Sequence, residues 1–266
     1  MSTAKAAMRI ELRDVHVTLA DRPVLTTVSL SFREGEQVAV LGPSGAGKTT
    51  LLRVIVGAVV PQRGAVLLDG IDPHSSRAAL TRLRRSIGCV RQRDDLVRGL
   101  TARTNILASV AYQWRPRDWG SVLLGNVPRR YRDRLAEIAQ SYEIDEVLAA
   151  PVERLSGGQR QRVAVARAVF GNPRLLLADE STAGLDPVRA ARALDDLQYG
   201  GATLIATTHD LRIAQRFPRV IALREGAVVF DGEFAGPADL RRIYGEAVGT
   251  EMQTAIGTES GTEPVA

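Results

Sequence analysis

The run Gly42-Pro43-Ser44-Gly45-Ala46-Gly47-Lys48-Thr49 constrains the chain more than any other feature. Glycines at this density let successive backbone N–H groups turn inward around an anion, because no Cβ obstructs the turn. Before the run stands Val38-Ala39-Val40-Leu41, a continuous apolar stretch of the kind buried on both faces of a parallel sheet. After it, the spacing from Thr49 to Val56 predicts a helix, with Gly57 as its stop and Pro61 beyond. Strand, glycine turn and helix in that order make a phosphate-binding loop, because the helix N-terminus adds partial positive charge to the ring of N–H groups. Lys48 is placed to reach the β- and γ-phosphates of a nucleotide, and the Thr49 hydroxyl to ligate Mg²⁺. The expected nucleotide seat runs from Gly42 to Thr50. Lys5 and Lys48 are the only lysines in a chain whose positive charge is otherwise arginine, which makes Lys48 conspicuous.

The rest of the composition excludes more than it assigns. With 266 residues, 45% of them apolar and 24% charged, the chain has the makeup of an ordinary globular protein with a sizeable core. Cys89 is the single cysteine, so no internal disulfide forms and a reducing compartment fits. Residues 1–8 lack the apolar core of a signal peptide, and no run approaches the roughly 18–20 apolar residues of a membrane span. If the protein acts at a membrane, another chain is expected to supply the membrane part. The formal charge of +5 is spread along the chain and gives no reason to expect nucleic acid as a partner. Arg82, Arg84 and Arg85 form a basic cluster that suits either a solvated helix face or contact with a partner or lipid head groups.

Near-alternating apolar residues predict strands between residues 8 and 40, and Ala65 to Leu68 predicts another, ending in the turn Asp69-Gly70. From about residue 93 to 164 helical spacing takes over, as in Leu135, Ile138, Ala139 and Tyr142. The β/α rhythm then returns, with strands at Leu175 to Ala178 and Thr203 to Thr207, a helix at Val188 to Leu197, and a hairpin turning at Glu225-Gly226. Residues 249–266, rich in Gly, Thr and Glu, are expected to form a disordered tail. The fold class is α/β, with a helical subdomain inserted into a sheet domain.

Two further sites carry chemistry. The apolar strand Leu175 to Ala178 ends in Asp179-Glu180, placing paired carboxylates at a buried strand's tip, where Asp179 suits Mg²⁺ and Glu180 suits the work of a general base on water. Leu155-Ser156-Gly157-Gly158-Gln159 opens a second helix and offers a second anion seat of free N–H groups and a hydroxyl. A capped helix start is the plain alternative for this segment.

With these three motifs in hand, the chain resembles the ATP-binding-cassette family over roughly residues 8–245. The resemblance implies a P-loop NTPase (RecA-like) core at 8–92 and 165–245, an antiparallel β subdomain and a helical subdomain at 93–164. It also implies ATP and Mg²⁺ as ligands, and a head-to-tail homodimer in which Ser156, Gly157, Gly158 and Gln159 of one chain face the nucleotide held by the other. Gln92 matches the family's glutamine loop, which senses Mg²⁺ and the γ-phosphate. His209 matches the switch histidine that orients Glu180 and water, and Asp186 the loop that crosses the dimer interface. Two positions depart from the family pattern: Leu19 stands where an aromatic residue usually stacks on adenine, and Ser181 follows Glu180 where proline is usual.

Within the family, the segment from Trp114 to Gly125 resembles an insertion of phosphonate-importer ATPases, and Ile221 to Gly232 is also similar to that group. Thr207-Thr208-His209-Asp210 resembles the wider family instead. The implied role is the ATP-hydrolysing motor of an importer, lying at the cytoplasmic face of the inner membrane with permease subunits and, indirectly, an extracytoplasmic substrate-binding protein. Two alternatives stay open: a soluble cassette ATPase accessory to a phosphorus-metabolising enzyme complex, and the ATPase of an exporter.

Overall fold

The computed structural model describes residues 7–91, 96–179 and 201–233, together with Asp239 and Ile243. Nine strands lie among them. β1 (Ile10–Leu19), β2 (Arg22–Phe32) and β4 (Arg63–Leu68) form an antiparallel sheet in the order β2-β1-β4. β3 (Gln37–Leu41), β5 (Ile87–Arg91), β6 (Leu175–Asp179), β7 (Thr203–Thr208), β8 (Arg219–Arg224) and β9 (Ala227–Gly232) form the second sheet, ordered β5-β6-β7-β3-β8-β9. Its first five strands are parallel and β9 runs antiparallel to β8.

The continuous apolar runs of the central strands are explained by two separate cores, one on each face of this sheet. Along β3, Ala39 and Leu41 point into one core while Val38 and Val40 point into the other. Leu176 and Ala178 of β6 likewise oppose Leu175 and Leu177. Period-2 alternation thus buries four successive residues of each such strand, which is why no polar face shows in the sequence. The first core also receives the helical layer, α3 (Ala102–Ala108), α5 (Arg132–Ser141) and α6 (Gly157–Phe170), which lies between β5 and β6 in the chain. Leu135, Ile138, Ala139 and Tyr142 are all buried there, as their helical spacing predicts. The border expected between residues 164 and 165 falls inside α6, one unbroken helix that packs against α3 and β5 alike.

The second core holds the antiparallel sheet and α1 (Lys48–Ile55). Leu51 and Ile55 of α1 are fully buried, each burial contributing about 1.5–3 kcal/mol. α1 stops as expected: Gly57 takes φ 65°, its N–H donates to the Val54 carbonyl, and the Ala58 N–H donates to the Arg53 carbonyl, a Schellman end. α2 (Arg77–Arg84) reinforces this end, because the Arg84 guanidinium donates to the carbonyls of Val56 and Gly57 at 3.1 and 3.0 Å. Arg84 therefore caps α1, which neither reading of the basic cluster anticipates, while Arg85 lies over the Tyr112 ring at 4.9 Å.

One arginine ties the two sheets together. Arg219 on β8 donates to both carboxylate oxygens of Asp231, at 2.6 and 2.8 Å, to Glu36 at 3.0 Å and to the Ser31 carbonyl at 2.8 Å. The Asp231 carboxylate, helped by Glu36, pushes the guanidinium pKa above its ordinary value. Among the described residues no helix is long and apolar enough to cross a membrane.

Candidate functional site

The C-terminal tips of β3, β6 and β7 lie side by side, since β7 pairs with both neighbours in register: Asp179 with Thr207, and Leu41 with Thr208. Parallel pairing brings the phosphate loop, Asp179 and the segment of His209 to one sheet edge, although they are far apart in sequence. Crevices at the carboxyl ends of parallel strands are where open α/β sheets bind ligands.

The loop is built against three neighbours. A Cβ on Gly42 would stand 2.3 Å from the Leu223 carbonyl oxygen, so only glycine lets β8 approach. Gly47 takes φ 101° and a Cβ there would meet the Val24 carbonyl oxygen at 2.7 Å. The β8–β9 turn completes the seat, with the Gly226 N–H donating to the Ala46 carbonyl at 3.2 Å and the Thr26 N–H to the Gly226 carbonyl at 2.8 Å. The base of the loop (Gly42, Ala46, Gly47) is buried, while its crest (Pro43, Ser44, Gly45) is exposed.

Gly47 is also the N-cap of α1, and no acid occupies the helix's first turn. The N–H groups at this end lack intrahelical partners, so they and the helix dipole face the loop's interior, where an anion is favoured. Lys48 is buried and its Nζ donates to the carbonyls of Gly42 and Pro43, at 2.8 and 3.1 Å. The ammonium is thus held within the loop it serves. Thr50 is buried behind it.

Thr49 and Asp179 meet: the Thr49 hydroxyl donates to Asp179 Oδ1 at 3.1 Å. The same oxygen accepts from the Thr207 hydroxyl at 2.8 Å. Sequence reasoning does not single out Thr207. The available signal is a threonine at an otherwise apolar, fully buried strand position, where an unbonded hydroxyl is costly. One hydroxyl and one carboxylate beside a phosphate seat fit Mg²⁺, which takes one or two protein oxygens, substrate phosphate oxygens and water. His209 is exposed just past β7. Asp210 beside it caps α7 (Leu211–Ala214), its carboxylate accepting from the Arg212 N–H at 2.9 Å.

The segment expected to form the second anion seat stands at the start of α6. Ser156 is its N-cap, the hydroxyl accepting from the Gln159 N–H at 3.2 Å while Gln159 Oε1 accepts from the Ser156 N–H at 2.8 Å. This capping box explains why serine and glutamine stand three residues apart. It does not explain the glycines between them. Gly157 has no left-handed φ and, among the described residues, nothing within 4 Å of where its Cβ would lie, so neither its backbone nor the packing they provide requires glycine there.

Leu19 stands at the tip of the β1–β2 hairpin, 39% exposed, before the turn Ala20-Asp21, both residues at positive φ. Gln92, Glu180 and Asp186 lie outside the described residues, as do Ser181 and the helix expected at Val188 to Leu197.

The ABC transporter family profile matches residues 25–183. The phosphonates import ATP-binding protein PhnC 2 of Albidiferax ferrireducens is 40% identical over 218 residues, covering 79% of this chain and 76% of that protein. The protein of the same name from Nostoc sp. is 37% identical over 226 residues, covering 83% and 90%. Among solved structures, the dimeric post-hydrolysis state of the ATP-binding cassette MJ0796 bound to ADP and Pi superposes with a TM-score of 0.73 at 32% identity, covering 85% of this chain and 99% of that one.

Proposed function

The chain belongs to the ABC transporter family, and from that membership we propose that it is the ATP-hydrolysing motor subunit of an importer for phosphonate or a related phosphorus oxyanion. The observation that carries the chemistry is the meeting of Thr49, Asp179 and the buried Lys48 around one phosphate seat. The cargo rests on the relatives' names.

In this reading Lys48 exchanges its loop carbonyls for the β- and γ-phosphate oxygens. The Thr49 hydroxyl and the Asp179 carboxylate would hold Mg²⁺, with Gln92 as a further ligand. When bound, Mg²⁺ neutralises charge on the phosphates and fixes their orientation. Thr207 positions Asp179 through its hydroxyl bond to Oδ1. Glu180 takes the proton from the attacking water, and His209 aligns that water with Glu180. The exposed start of α6 completes the site of a second copy: Ser156, Gly157 and Gly158 donate to the γ-phosphate seated on the other chain's loop, and Asp186 crosses the interface. Leu19 offers an apolar contact to the adenine. The missing aromatic stacking is worth about 1 kcal/mol, so base selectivity is weaker than with an aromatic residue.

The motor acts through permease subunits, with a substrate-binding protein selecting the cargo outside and this chain at the cytoplasmic face of the membrane. The test is a pull-down of tagged Glu180→Gln protein with Mg-ATP from detergent-solubilised native membranes. We expect an ATP-bound dimer, turnover reduced about 10²–10⁴-fold, and co-purification of a multi-span permease. Brisk hydrolysis by this variant removes Glu180 from its role. Recovery of soluble metabolic enzymes alone replaces the importer by the enzyme-accessory ATPase.

A further inference from the structure

Three exposed large apolar side chains, the two most exposed among the described residues included, lie together on or beside one short element. α4 (Pro116–Leu123) presents Trp119, 49% exposed, while Leu123 and its successor Leu124 are each 81% exposed. These side chains are held out rather than loosely tethered. Asp118, buried inside α4's first turn, accepts from the Arg115 N–H at 2.8 Å and from Arg130 at 2.7 Å. Arg130 also donates to the Gln113 carbonyl at 2.6 Å. Trp114 packs on the helical core and meets Trp119 edge-to-face at 4.7 Å. At the other end Gly125 takes φ 75°, its N–H donating to Val122 and the Asn126 N–H to Ser121, the same Schellman end as in α1. An ion pair with one buried partner and two backbone motifs hold two leucines and a tryptophan in water.

The charge around them has one sign. From Ala111 to Arg132 the sequence holds five arginines and a single acid, Asp118, which Arg130 already engages. Arg115, the N-cap of α4, and Arg117 in its first turn both precede Trp119 and are exposed, while the Arg103 guanidinium lies against Gly125. Among the described residues none of Arg103, Arg115 and Arg117 pairs with a carboxylate. A stable protein interface covers roughly 800 Å² per partner, well beyond three side chains. Trp119 and Leu123 stand one turn apart on one side of α4, with Arg115 a turn before them and Leu124 at the C-cap, and such a set is instead what a membrane surface takes up: the ring and aliphatic chains enter the head-group boundary and the guanidinium groups meet lipid phosphates.

We propose that α4 and Leu124 form a membrane-surface contact of this subunit, inserting Trp119, Leu123 and Leu124 into an anionic leaflet while Arg103, Arg115 and Arg117 engage its head groups. The contact is separate from the nucleotide sites and independent of cargo. Trp114 and Trp119 are the only tryptophans, so intrinsic fluorescence reports it directly. Full-length protein is mixed with vesicles of phosphatidylcholine alone or of phosphatidylcholine with phosphatidylglycerol, and emission and co-sedimentation are followed. The proposal expects a blue shift and pelleting with the anionic vesicles only, both weakened by added salt. It expects at least a tenfold loss of partition for the double variant Leu123→Ser, Leu124→Ser, with thermal melting unchanged because both side chains are exposed. It is overturned if wild-type protein shows neither shift nor pelleting with anionic vesicles, or if the double variant binds them as wild type does. It is equally overturned if vesicles are ignored while the double variant loses a co-purifying permease, since the patch is then a protein-docking surface.

Discussion

The two anion seats of this chain are finished to different degrees. Around the phosphate loop every constraint is internal: Gly42 and Gly47 are dictated by the carbonyls of Leu223 and Val24, and Lys48 is satisfied by the loop itself. At the start of α6 the cap is complete, yet nothing among the described residues requires Gly157 to be glycine. The contrast fits the proposed pairing of two copies, in which one seat holds a ligand by itself and the other closes over a ligand held by the second chain.

The largest expected effect breaks the complete seat. Lys48→Ala removes a cation from the phosphates and should weaken ATP binding by about tenfold to a hundredfold, as loss of a charge-assisted hydrogen bond of about 1.5–3 kcal/mol implies. Titration with a fluorescent ATP analogue checks it, and unchanged affinity removes the lysine from the site. The sharper comparison pairs two glycine-to-alanine changes. Gly157→Ala should leave the melting temperature equal or slightly raised, since alanine is favoured over glycine in a helix by about 0.5–1 kcal/mol, while hydrolysis falls on the order of tenfold because a methyl group displaces the γ-phosphate contact. Gly47→Ala should lower stability by about 2 kcal/mol, because the residue is held at φ 101° against a carbonyl. If Gly157→Ala hydrolyses ATP normally, the start of α6 is only a cap and the comparison collapses. The smallest effect concerns Asp179. Thr207→Val keeps the shape but deletes the 2.8 Å bond to Oδ1, and should raise the Mg²⁺ concentration for half-maximal nucleotide binding by a few-fold to about tenfold. Binding without metal should not change, and Thr207→Ser should restore the metal dependence.

Much of the fold and of the complete seat is legible in the residues themselves, for identifiable reasons. The strand–loop–helix of residues 38–56 declares itself because each part obeys a local rule, and α1 ends at Gly57 as glycine stops do. The β8–β9 hairpin shows through Glu225-Gly226, both at positive φ, the turn that matches strand twist. What stays hidden is what depends on register between distant segments. Thr207 meets Asp179 only because β6 and β7 pair in one particular frame. Arg84 reads as part of a basic surface because nothing in sequence places α2 against the end of α1. The roles assigned to Gln92, Glu180 and Asp186 rest on motif alone, since these residues fall outside the described structure.

The Arg84 cap has a mechanical consequence. α1 is only about 12 Å long at 1.5 Å per residue. Its front end is seated among Val24, Leu25 and the Gly226 turn, and its back end is gripped by a guanidinium from α2. So short a rod, clamped at both ends, resists tilting and sliding when the charge in front of it changes. In the proposed motor, loss of the γ-phosphate is then registered by the other side of the cleft, where β6 and β7 end, and the phosphate loop serves as the fixed jaw.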